Sequence, residues 1–168
     1  MQKTLATRYR LKQAFSSFRM TQLNRSDQAI KIQKIKNNIF NNEMKCAIIN
    51  HFGNIDMSKD LHQCHKFLYD NIEYCRSSNY IISLMNLTEI PQFVQVVNII
   101  KLTHKWWLLV DMLATIGYDD KLCAWEIKSM DKFDILDPYS MKYYFKGLDI
   151  YEINNSTFVT FTARLTLH

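Results

Sequence analysis

Sharp turns are made most readily with glycine and proline, yet this chain of 168 residues holds three glycines and two prolines. Folds built from many short strands need frequent tight turns. The scarcity therefore argues against a β-sandwich or barrel. With 48% apolar and 22% charged residues the composition is globular, and the length suffices to bury one core. The expected fold is α+β, mainly α: a helical body of four to five helices with a C-terminal antiparallel β-hairpin or three-stranded sheet. One domain, 1–168, accommodates it.

Periodicity supplies the helices. Residues 4–20 set Leu11, Phe15 and Phe18 on one stripe. A second helix begins at Ser26 or Asp27 as N-cap, carries Ile32, Ile35 and Ile39, and ends near His51, with Gly53 as its stop. These two form a basic helical N-terminal part, 1–52. Ser58 opens a third helix reaching Arg76, with Leu61, Cys64, Leu68, Ile72 and Cys75 as its stripe. Residues 79–87 suit either a short helix or a buried strand. Thr88 and Pro91 open the fourth main helix, 89–116, whose Phe93, Val96, Val97, Ile100, Trp107 and Leu108 cover more than one face. Asp119 caps a shorter helix to Lys132, which completes a helical core of 56–133. The β-rich part is 141–167: the runs Ile150–Ile153 and Thr157–Phe161 flank Asn154-Asn155-Ser156, a hairpin turn.

Charge is distributed unevenly along the chain. The first 45 residues carry ten Lys or Arg and two acids, Asp27 and Glu43, while the remaining 123 carry eleven bases against fourteen acids. A concentrated positive segment attracts polyanions, and phosphate backbones reward it by releasing condensed counterions. The expected contacts are Arg8, Arg10, Lys12, Arg19, Arg25, Lys31, Lys34 and Lys36. Tyr9 and Trp106 are the expected partner-contact aromatics, Trp106 because it lies 100° round a helix from a buried Trp107. The Asn154–Ser156 tip carries no Lys or Arg, so a winged-helix arrangement would place its charge at the wrong end of the chain.

Catalytic and metal signatures are weak. His62, Cys64 and His65 are one crowded group without the second short-spaced couple that a zinc site needs. Cys64 and Cys75 read as core thiols. Asp131, Asp134 and Asp137 lack the glycine and bidentate Glu of a calcium loop, and read as a solvated edge. His104 and Asp111 sit on one side of the long helix as buried polar groups. No P-loop, dinucleotide fingerprint, nucleophile elbow or metalloprotease motif occurs. The N-terminus shows no secretory h-region and the longest central apolar stretch is short, so four reduced cysteines, a cytoplasmic setting and no membrane partner are expected.

The sequence thus points to a small non-enzymatic nucleic-acid-binding protein, or a basic subunit of a nucleoprotein complex, without cofactor or metal. It would contact the phosphate backbone of DNA or RNA through its N-terminal helices. The alternative is a helical adaptor or inhibitor that binds an acidic surface of another protein.

Overall fold

In a computed structural model, which describes residues 28–34, 39–69, 72–84, 90–102, 104–139 and 148–160, the chain is mainly β. Among the described residues there is no helical body of four to five helices. Two short strands, β1 (Gln28–Ile30) and β2 (Gln33–Lys34), precede α1 (Asn42–Phe52), the one extended helix among the described residues. After a single helical turn at Met57–Asp60 come β3 (Leu61–Cys64), β4 (Lys66–Tyr69), β5 (Ile72–Cys75) and β6 (Asn79–Leu84). The long strands β7 (Pro91–Leu102), β8 (Lys105–Asp119) and β9 (Ala124–Leu136) follow, and β10 (Asp149–Ile153) and β11 (Ser156–Thr160) close the described chain.

The large sheet runs β10-β11-β9-β8-β7-β3-β2, each neighbouring pair antiparallel, and β6 shares the outer side of β7 with β3. Strands β1, β4 and β5 form a separate three-stranded sheet in the order β1-β4-β5. Both faces of the large sheet are covered. On one, Cys64, Val96, Ile99, Trp106, Leu108 and Val110 pack with Phe67, Ile72 and Tyr74 of the small sheet. On the other, Leu61, Ile100, Leu109 and Ile135 receive Ile48 of α1, and farther along Phe93, Leu113, Ile127 and Val159 form a second cluster. Helix α1 is capped by Asn41, whose side chain accepts from the Met44 N–H at 2.8 Å, and ends at Gly53, φ 80°. Eleven residues are marginal as an isolated helix, so its packing on the sheet holds it.

Two-sided burial explains why the helical reading of 56–133 fails. A strand covered on one face alternates apolar with polar, but β7 and β8 lie in the middle of a covered sheet and bury residues of both parities. The stripe Leu61, Cys64, Leu68, Ile72, Cys75 is spread over three strands. The span expected as helix 89–116 is the β7–β8 hairpin, with His104 at its turn, and the helix expected after Asp119 is β9. Asp119 does cap, but it caps a turn: its Oδ1 accepts the Lys121 and Leu122 N–H groups at 2.8 and 3.0 Å.

The scarcity of glycine is met in another way. Lys31, Ser77, Cys123, Asp131, Asn154 and Asn155 all hold positive φ, so polar residues occupy the left-handed turn positions that glycine usually takes. At the C-terminal hairpin, Asn154 and Asn155 (φ 49° and 66°) form the two-residue turn whose twist matches antiparallel strands. That hairpin stands where the sequence places it. Helix 4–20 and the Ser26/Asp27 cap lie outside the described residues; of the second helix, the described residues show strands at Gln28–Ile30 and Gln33–Lys34 and a helix only at Asn42–Phe52.

Candidate functional site

The strand order turns a charge asymmetry along the sequence into one across the molecule. Described residues 28–105, which hold β1 to β7 and α1, carry eight Lys or Arg against four Asp or Glu. Residues 106–160, the body of β8 with β9, β10 and β11, carry three against nine. Within the large sheet, β2, β3 and β7 on one side of β8 carry Lys34 and Lys101 and no acid, whereas β9, β11 and β10 on the other carry two Lys against five Asp or Glu, so the sheet has a basic end and an acidic end. The described chain begins at the basic end: β1 joins the small sheet and β2 the large one, with an exposed Lys31 at the crossing.

Register brings further cations to that edge. Lys34 stands opposite His62, His62 opposite Lys101, and Lys101 opposite Trp106. Lys101 Nζ lies 5.6 Å from the Trp106 ring centroid. At the end of the β7–β8 hairpin, Lys105 Nζ makes a 2.7 Å ion pair with Asp137 and sits over two rings, 4.5 Å from Trp107 and 5.3 Å from Tyr139. Trp107 meets the His51 ring edge-on at 5.0 Å, and Tyr139 meets Tyr69 at 4.4 Å. The half-buried Trp107, Tyr139 and Tyr69 and the exposed His51 thus form a strip of rings interrupted by one lysine. Phe67, fully buried, backs Tyr69 and Tyr139 at 6.4 and 5.9 Å.

Of the residues expected to contact phosphate, Arg8, Arg10, Lys12, Arg19, Arg25 and Lys36, together with Tyr9, lie outside the described residues. Lys31 and Lys34 are placed at the basic edge, on a strand junction and a strand rather than on a helix. Trp106 is displaced from its expected role as an exposed contact. It is 4% exposed, packed against Phe67 at 5.8 Å, because neighbouring residues of a strand point to opposite faces instead of 100° apart. The accessible indole of the pair is Trp107. Sequence reasoning missed Trp107, Lys105, Tyr139 and Tyr69. The available signal was the polar interruption from Thr103 to Lys105 within an apolar run, which marks a turn between two strands.

The remaining groups do not assemble into chemistry. Among the described residues no three His, Cys, Asp or Glu side chains are placed to hold a metal ion. Cys64 is buried, and that burial pushes its thiol up to about 12, which leaves it protonated and a poor nucleophile. Cys75 is raised for the same reason and donates to Glu73 Oε1 at 3.3 Å. His104 is exposed at the hairpin turn while Asp111 lies buried in β8, so the two are not side by side on a helix. Burial raises the Asp111 carboxyl, against the opposing hydrogen bond that Ser129 Oγ donates at 2.5 Å. Asp131 is an exposed residue of β9, and Asp137 is committed to Lys105. The chain matches no protein-family model, no curated protein and no solved structure. Its functional reading therefore rests on its own surface. No helix among the described residues is long and apolar enough to cross a membrane.

Proposed function

We propose that the chain is a non-enzymatic nucleic-acid-binding protein whose basic N-terminal segment and the adjoining β2–β3–β7 end of the sheet contact the phosphate backbone. One observation carries this reading: the positive charge collects at one end of the large sheet, and the described chain starts there. A spatially separated dipole orients a polyanion toward one end and repels it from the other, which favours one docking mode over diffuse adsorption. Lys31, Lys34 on the edge strand β2 and Lys101 on β7 add to the positive charge of the first 27 residues. The C-terminal hairpin lies on the acidic side, so it supports no wing against the same phosphates. The cytoplasmic setting belongs to this proposal and is supported by four cysteines that are all free thiols.

The test is fluorescence anisotropy of labelled DNA and RNA with increasing salt. A protein that neutralises six to ten phosphates loses about 10³–10⁵ in affinity between about 50 and 200 mM salt, and a loss of several orders of magnitude is expected here. The absence of binding at the lower salt concentration would overturn the reading and direct the search to an acidic protein surface.

A further inference from the structure

The strip formed by His51, Trp107, Lys105, Tyr139 and Tyr69 suits a particular form of nucleic acid. We infer that it is a stacking platform for the unpaired bases of a single strand; the inference rests on the nucleic-acid reading above. Every base has a π-face, and only an unpaired strand can offer it to a protein side chain; duplex bases are already stacked on one another. Proteins that bind single strands combine a positive groove with aromatic rings in succession. Here His51 to Trp107 is 5.0 Å, Trp107 to Lys105 4.5 Å, Lys105 to Tyr139 5.3 Å and Tyr139 to Tyr69 4.4 Å.

The electrostatics divide the task between bases and phosphates. Asp137 takes up the charge of Lys105 at 2.7 Å, so the middle of the strip is close to neutral and suits a base better than a phosphate. Lys101, near the end of β7 and abreast of His62, supplies a cation for the backbone. Lys105 lies over the Trp107 face that a base would take, so stacking there requires the ammonium group to slide aside. Its pairing with Asp137 keeps it at the rim as it does so. Helix α1 and the small sheet hold the strip at its two ends, since His51 belongs to α1 and Tyr69 to β4.

The deciding experiment compares the intact protein against four ligands of equal length at about 50 mM salt: single-stranded DNA, single-stranded RNA, duplex DNA, and single-stranded DNA in which every base is removed. The base-free strand keeps all phosphates and loses all stacking. Both base-containing single strands, or whichever of DNA and RNA the protein prefers, are expected to bind about tenfold or more tightly than the base-free strand, the loss that one stacked base produces. They are also expected to bind more tightly than the duplex. The Trp107→Leu variant, checked for an unchanged melting curve, is expected to narrow the gap between base-containing and base-free strands; the wild-type comparison stands even if that variant does not fold. Equal affinity for the base-containing and base-free strands, or tighter binding of duplex, would overturn the stacking platform while leaving phosphate binding intact. No binding of any of the four would remove the nucleic-acid reading as well.

Discussion

Trp106→Ala is expected to destabilise the protein by about 4 kcal/mol, the cost typical of emptying a large aromatic site in a core. For a chain of this length that corresponds to a drop in melting temperature on the order of 8–16 °C. The reason is where β8 places the ring. Trp106 projects into the cluster between the two sheets, in contact with Phe67 and beneath Lys101 Nζ, and its removal opens a cavity that strands held on both sides cannot collapse around. Nucleic-acid affinity per folded molecule should change little. A thermal or urea melt measures the first part, and anisotropy at a temperature well below the transition measures the second. A variant with the wild-type melting temperature and much weaker binding would show that Trp106 is a contact residue, and that the strand placement of this pair is wrong.

The second large effect is expected at a polar pair inside the core. Strand β7 is bulged between Val96 and Asn98, and the bulge is held by side chains. Asn98 Nδ2 donates to Gln63 Oε1 of β3 at 3.0 Å, and Asn98 Oδ1 accepts the Ile99 N–H at 2.9 Å. Arg76 Nε donates to the carbonyl of Val97, the extra residue of the bulge, at 3.2 Å. Asn98 is 1% exposed, so Asn98→Leu strands two buried polar groups, Gln63 Oε1 and the Ile99 N–H. Each orphan costs about 1–3 kcal/mol, and a total of about 3 kcal/mol is expected in a denaturant melt. Adding Gln63→Leu should cost much less than it does alone, since the partner it satisfies is already gone. Additive losses in the double variant would contradict a shared hydrogen bond.

How far the sequence could be read depended on burial. The C-terminal hairpin was legible because β10 and β11 are rich in β-branched and aromatic residues and because the Asn154-Asn155 pair accepts positive φ. The end of α1 was legible for a similar local reason: Gly53 takes φ 80° and donates to the Ile49 carbonyl at 2.8 Å. The centre of the sheet was not. Phe93, Val94, Val96, Ile99 and Ile100 are all buried, some facing α1 and the outer cluster and the others facing the small sheet. An apolar run with both faces covered has no period to detect, and its length then favoured a helix. The wealth of β-branched residues in β7 was the contrary sign.

The candidate site divides along the same line. Its charge was visible in the sequence because net charge needs no fold, and β2 brings Lys34 to the edge in line with it. The ring strip was not visible, because His51, Tyr69, Trp107 and Tyr139 come from four separate segments that only the sheet order and the helix packing bring together. The choice of Trp106 over Trp107 inherited the error in period: a rotation of 100° leaves one indole at the surface, whereas alternation across a covered sheet buries Trp106 and leaves Trp107 at the rim.

The central claim is that one end of the molecule binds. It is tested most directly by labelling lysine amines with a small acylating reagent, in the presence and absence of a single-stranded oligonucleotide, and reading each site by peptide mass spectrometry. Lys31, Lys34 and Lys101 at the basic end should be protected on binding, with the lysines of the first 27 residues. Lys121, Lys128 and Lys132, exposed on the acidic side, should react equally in both samples. Protection of those three, or the same small change at every lysine, would contradict an oriented basic interface.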